Sequence, residues 1–106
     1  MNHLSAGGVI GLAAWRGKHF QGYALRTSDG WVCVASLGMT CSRQKVRTAD
    51  DCRTMLRTTC HASRFDEFRD FDSLKAVIDK LPPHAQPAIL PEHIPGLPVR
   101  LPKLTA

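Results

Sequence analysis

The stretch Val46-Arg47-Thr48-Ala49-Asp50-Asp51-Cys52-Arg53-Thr54-Met55-Leu56 decides the fold, because it has an echo. At an offset of 22 residues, Phe68-Arg69-Asp70-Phe71-Asp72-Ser73-Leu74-Lys75-Ala76-Val77-Ile78 repeats its pattern. In both copies an apolar residue and an arginine close a short extended run, an acid stands at a helix start, and an apolar-basic-x-apolar-apolar series follows. Thr48 and Asp51 have the spacing of a capping box, with Asp in place of the more usual Glu. Cys52, Met55, Leu56 and Cys60 fall on one face of that helix, with Arg53 and Arg57 off it. Asp70 or Asp72 caps a second helix whose apolar stripe is Leu74, Val77, Ile78 and Leu81, and Pro82-Pro83 ends it. Two strand-turn-helix units therefore follow one another; a solenoid would need at least a third.

Upstream, residues 8 to 36 predict a three-stranded meander. Gly8 to Trp15 is apolar, and Arg16-Gly17-Lys18 is a turn candidate. Phe20 to Thr27 is a second strand, and Trp31 to Ser36 a third. Between them Ser28-Asp29-Gly30 is a strong hairpin signal. Leu37 to Ser42 reads as a loop, and Arg43 to Arg47 as a short fourth strand. Side chains alternate across a strand. On that rule Ile10, Leu12, Ala14, Tyr23, Leu25, Val32 and Val34 share one face. Val9, Ala13, Trp15, Phe20, Ala24, Arg26, Trp31 and Cys33 share the other. The expected fold is α+β: an antiparallel sheet of four or five strands with two helices on one face. The expected organisation is a flexible N-terminus over 1–7, a single domain over 8–81 and a proline-rich extended tail over 82–106.

The tail holds all seven prolines, from Pro82 to Pro102. That density forbids a regular helix and favours extended, polyproline-like backbone. Yet Ile89, Leu90, Ile94, Leu97, Val99 and Leu101 lie among the prolines, too many aliphatics for a solvated linker. The arm is expected to pack back over the domain, or to dock on a partner or second subunit through Ile89, Leu90, Ile94 and Leu97. Exchange of tails would make a homodimer.

Composition narrows the function classes. The chain has 106 residues, 43% of them hydrophobic, with 14 Lys and Arg against 9 Asp and Glu. One domain fits this length. The moderate positive charge permits nucleic acid, an acidic protein or an anionic surface as partner. The longest apolar stretch, Gly7 to Trp15, is too short for a bilayer and has no Lys or Arg before it, so no membrane partner and a cytoplasmic setting are expected. Cys33, Cys41, Cys52 and Cys60 are spaced 8, 11 and 8 apart. Zinc ligands usually arrive as closer pairs, so these read as small core hydrophobes and no metal or cofactor is expected. The five histidines are scattered, and no H-E-x-x-H, G-x-S-x-G, P-loop or G-x-G-x-x-G is present. Asp66 and Glu67 are neighbours on a strand, so they point to opposite faces and make no acid-base pair. The protein is expected not to be an enzyme.

Two constellations remain. Trp15, Phe20 and Trp31 interleave with Arg16, Lys18 and Arg26 on one predicted sheet face. That mix suits stacked bases with paired phosphates, and equally a protein hot spot. The second is the basic run Arg43, Lys45, Arg47, Arg53 and Arg57, where phosphate contact is a natural use. No helix-turn-helix is present, since the two helices are separated by a strand.

At Glu67-Phe68-Arg69-Asp70-Phe71-Asp72-Ser73-Leu74-Lys75 the chain resembles a strand-to-helix module met in small accessory proteins of plasmids, phages and integrated elements. Some small anti-CRISPR proteins are similar at Arg69-Asp70-Phe71-Asp72-Ser73. The resemblance implies a mobile-element protein that binds DNA or blocks a host machine, and it carries no catalytic residue. The function expected from all of this is a non-enzymatic nucleic-acid-binding accessory protein. Its contacts are Arg43, Lys45, Arg47, Arg53, Arg57, Arg26 and Lys18, with stacking by Trp15 and Trp31. The alternative is an inhibitor or adaptor that binds protein through the tail and the aromatic face.

Overall fold

The computed structural model describes residues 8–37, 40–94 and 96, with backbone alone for 37 and 40–43. Residues 1–7 and most of the proline-rich stretch past Ile94, Leu97 included, lie outside the described residues. The elements run β1 (Gly11–Arg16), β2 (His19–Thr27), β3 (Gly30–Leu37), β4 (Thr40–Val46), α1 (Ala49–Cys60), β5 (Arg64–Phe68) and α2 (Phe71–Asp79). The five strands form one antiparallel sheet in the order β4-β3-β2-β1-β5. The α+β class and the strand count are as the pattern predicts.

β1 to β4 are a meander of hairpins. Thr27 pairs with Gly30 across the Ser28-Asp29 turn. Gly30 has φ 128, and a Cβ there would lie 2.9 Å from the Val46 carbonyl oxygen of the neighbouring strand. That position therefore needs glycine on two counts. β4 begins at Thr40, where a loop is expected, because the β3–β4 ladder runs down to the pair Leu37 and Thr40.

β4 and β5 run in the same direction at opposite edges of the sheet. The connection between them must cross the full width, four strand spacings or about 19 Å. α1, with 12 residues, supplies about 18 Å of that span. It lies across one face on β2 and β3. Its start is fixed by a full capping box: the Thr48 hydroxyl accepts from the Asp51 amide, and the Asp51 carboxylate accepts from the Thr48 amide. Its end is His61 in the left-handed conformation, φ 58, donating its amide to the carbonyls of Arg57 and Leu56.

The two helices pack on opposite faces of the sheet, not on one. Cys52, Leu56 and Cys60 of α1 are buried with Leu12, Ala14, Ala24, Trp31, Cys33 and Ala35. Phe71, Leu74 and Ile78 of α2 are buried with Ala13, Tyr23, Leu25, Val32 and Val34. The reason lies in the ladder register. Ala13 stands opposite Tyr23, and Leu12 opposite Ala24. Leu12 and Ala14 thus face away from Tyr23, one residue out of phase with the expected alternation. Trp15 follows Ala13 to the α2 side by ordinary alternation, and the register shift between Ala14 and Trp15, which leaves Gln21 of β2 unpaired in the ladder, turns Phe20 to the same side. The predicted joint face of Trp15, Phe20 and Trp31 does not exist: Trp31 faces α1 and the other two face α2.

α2 covers the β1–β5 side of its face. The rest, over β2 and β3, is covered by the chain after Leu81. That segment makes two single turns of 3-10 helix, Pro83–Ala85 and Pro91–His93. Ile94 enters the core at 3% exposure, and Ile89, Leu90 and Leu81 pack against it. The Tyr23 hydroxyl donates to the Ile89 carbonyl at 2.6 Å, and the Ser28 amide donates to the Gly96 carbonyl at 2.8 Å. Gln86 ties the segment to the end of α2 by donating to the carbonyls of Asp79 and Leu81. The arm is therefore a strap over the second core.

Truncating Ile94 to Ala removes the strap's buried anchor, and Ile94→Ala should lower the unfolding free energy by about 2–5 kcal/mol in a urea melt. Tyr23→Phe, which loses only the hydroxyl bond, should cost about 1 kcal/mol. A strap that did not pack on the second core would show neither loss.

Candidate functional site

The strand ends meet on one side of the sheet. β1 and β3 begin there; β2, β4 and β5 end there. On the α1 face at this end lies an open groove of about 560 Å³. Arg26 comes from β2 and Trp31 from β3, cross-strand partners on the same face. Arg47 and Thr48 follow β4, Ala49, Asp50 and Arg53 come from the first two turns of α1, and Glu67 of β5 and Arg69 just after it close the far wall. Val9, just before β1, completes the floor.

Four arginines thus surround one depression, against two carboxylates. The carboxylates are engaged. Arg53 donates to Asp50 at 2.6 Å and to Glu67 at 2.7 Å, with its side chain 21% exposed. This bridge ties the first turn of α1 to β5 across the groove. Arg26 is exposed and has an interaction of its own. Arg47 and Arg69 are exposed and have no ion-pair partner among the described residues. They occupy equivalent places in the two repeated units, each between a strand end and a helix cap. The capping box satisfies the Thr48 and Asp51 amides, while the next amides, of Ala49 and Asp50, are those an α-helix start leaves without an internal acceptor. The concentrated guanidinium charge makes the groove a seat for an anion with several oxygens, since arginine presents paired donors to phosphate or carboxylate.

The other expected contact residues are dispersed. Lys45 is opposite Val32 in the ladder, on the α2 side, and pairs with Asp29 at 3.2 Å. Arg57 lies with its guanidinium 5.3 Å from the Phe65 ring centroid, beyond the groove. Arg43 pairs through its backbone with Val34, and its side chain lies outside the description. Lys18 and Trp15 are at the opposite end of the sheet, in and beside the β1–β2 turn. Trp15 is enclosed by Phe20, edge to face at 5.5 Å, and by Arg64 at 5.2 Å over its ring. Trp31 is 8% exposed, so it offers the groove an edge and no open ring face. Ile89, Leu90 and Ile94 are spent on the strap, and Leu97 lies outside the described residues.

Arg69 and Glu67 were not among the expected contacts. The echo carried the signal for Arg69, because the arginine matching Arg47 in the second copy is Arg69. The Glu67–Arg53 bridge has no sequence signal, since it joins residues brought together only when α1 crosses the sheet.

Three of the four cysteines sit in the α1 core. Cys33, Cys52 and Cys60 are free and buried. The Cys52 thiol is pushed up by its hydrogen bond with Cys33 and further by burial. Burial raises Cys60 to about 11, with Cys33 adding to it. Cys52 and Cys60 stay protonated at neutral pH, so they are poor nucleophiles, whereas the hydrogen bond with Cys52 lowers Cys33 against the opposing effect of its burial. Among the described residues no group of three or more His, Cys, Asp or Glu could hold a metal ion, and no helix is long and apolar enough to cross a membrane. In a Cys41→Ser variant, thiol labelling at neutral pH should be no faster than opening of the fold. Rapid stoichiometric labelling of the native protein would contradict the burial of the three thiols.

No protein-family model matches the chain, and neither does any curated protein or solved structure.

Proposed function

We propose that this is a non-enzymatic nucleic-acid-binding accessory protein that takes up backbone phosphate in the groove at the strand ends. One observation carries the reading: Arg26, Arg47, Arg53 and Arg69 converge with the first turn of α1 on a single depression. Nothing in the core requires this clustering. Four guanidinium groups in one neighbourhood repel one another, and only two carboxylates stand among them. An arrangement of that kind is relieved when an anion enters. The chain's formal charge of +5 favours the encounter.

The groove reads phosphate rather than base. Trp31 has no exposed ring face for stacking, and the lining gives no array of amide side chains that could pair with base edges. Binding should therefore be nearly independent of sequence. An accessory role in a plasmid, phage or integrated element is the setting implied by the likeness at Arg69-Asp70-Phe71-Asp72-Ser73.

Fluorescence anisotropy with a labelled single strand should show affinity at low salt, with log K falling against log salt at a slope of roughly −1.4, as about two phosphate contacts require. Arg47→Ala and Arg69→Ala should each weaken binding by about tenfold and make the slope shallower by about one contact. Lys18→Ala, at the far end of the sheet, should change little. Absence of affinity for any DNA or RNA strand at low salt would end this reading.

A further inference from the structure

The four arginines of the groove are not equivalent, and the difference points to a particular phosphate. Arg53 is held on both sides by Asp50 and Glu67. It shapes the groove and contributes no spare charge. Arg26 is already engaged in an interaction of its own. Arg47 and Arg69 remain, on opposite walls, exposed and without an ion-pair partner among the described residues. Two available guanidinium groups match two negative charges. An internal phosphodiester brings one. A terminal phosphomonoester brings about 1.5 to 2 at neutral pH, with three oxygens for paired donors.

Size decides the same way. A channel that tracks a single strand accommodates about four or more nucleotides. The groove's volume of about 560 Å³ is instead that of a pocket for one small ligand, within the roughly 300–1,000 Å³ such pockets span. The Asp50 and Glu67 carboxylates also stand in the lining, where a strand continuing past Arg53 would meet negative charge.

Resting on the nucleic-acid reading above, we infer that the groove seats the terminal phosphate of a nucleic acid strand, clamped between Arg47 and Arg69. The rest of the strand leaves the groove on the open side. The protein would then distinguish phosphorylated from hydroxyl ends, without regard to base.

The test is an anisotropy comparison on the full chain with four probes. Three are one single-stranded DNA sequence labelled internally, bearing a 5′-phosphate, a 3′-phosphate or hydroxyl ends. The fourth is a labelled phosphoserine peptide. The expected result is that at least one phosphorylated strand binds about tenfold or more tighter than the hydroxyl-ended one, the gain that a pair of charge-assisted bonds supplies. The gain should disappear in Arg47→Ala and in Arg69→Ala. It should return in part with Arg47→Lys and Arg69→Lys, both exposed positions at which the fold, checked by circular dichroism, is unaffected. It should also shrink as pH falls from about 7.5 to 5.5, because the monoester's second proton binds near pH 6 and removes one charge. Equal binding of phosphorylated and hydroxyl-ended strands, still dependent on Arg47 and Arg69, would overturn the end-specific inference and leave phosphate-backbone binding standing. Binding of no strand at all would remove both. A phosphoserine peptide bound as tightly as the phosphorylated strand would overturn the assignment to nucleic acid.

Discussion

The chain has to travel from one edge of the sheet to the other between β4 and β5, and the architecture follows from that passage. Only a segment about as long as the sheet is wide can make it, and α1 is that segment. Once α1 occupies one face, the α2 stripe of Phe71, Leu74 and Ile78 must find its partners on the other. α2 reaches only the β1–β5 half of that face, so Tyr23, Leu25, Val32 and Val34 need a further cover. The segment from Pro82 to Gly96 provides it, with Ile94 as its buried end and the Tyr23 hydroxyl as its latch.

The same passage builds the groove. β4 and β5 point the same way, so both end on one side, and each is followed by an arginine and then a capped helix start. The two units are disposed as by a half-turn along the central strand β2, with their helices on opposite faces. Arg47 and Arg69 are thereby delivered to one depression from opposite edges of the sheet. Arg53, reaching from α1 to Glu67 on β5, spans the gap between the units. Each of its ion pairs is partly exposed and worth no more than about 1 kcal/mol. Their effect is to hold the wall in place, not to stabilise the fold.

Much of the fold was legible in the sequence because its signals are local. The Thr48–Asp51 box, the Asp70 cap, the Ser28-Asp29-Gly30 hairpin and both apolar helix stripes depend on residues a few positions apart. The side of the sheet each helix takes was not legible from those stripes, since a stripe shows which face of a helix is apolar and not where its partner lies. A clue was present in Trp31-Val32-Cys33-Val34-Ala35, an unbroken apolar run in which every residue is buried. A strand with one wet face would have alternated. The phase of β1 was lost for a different reason: Ile10 precedes the strand and shares its face with Ala13, not with Leu12, and the irregularity opposite Ala14 and Trp15 changes the face of Phe20 on β2. The candidate groove was half legible. Arg26, Arg47, Arg53 and Trp31 were singled out by charge and ring, but grouped with Lys18, Lys45, Arg57 and Trp15, which the register carries to other faces and the other end.

The strap also makes one kind of damage specific. The sheet and both helices need no residue beyond Asp79, yet the surface around Tyr23 and Val34 is covered only when Ile89 and Ile94 are in place. A chain whose strap has been cut or has let go keeps its elements and presents an apolar surface to its surroundings, the kind of species that chaperones hold and that neighbouring chains aggregate with. Proteolytic nicking between Asp79 and Ile94 would make that exposure permanent.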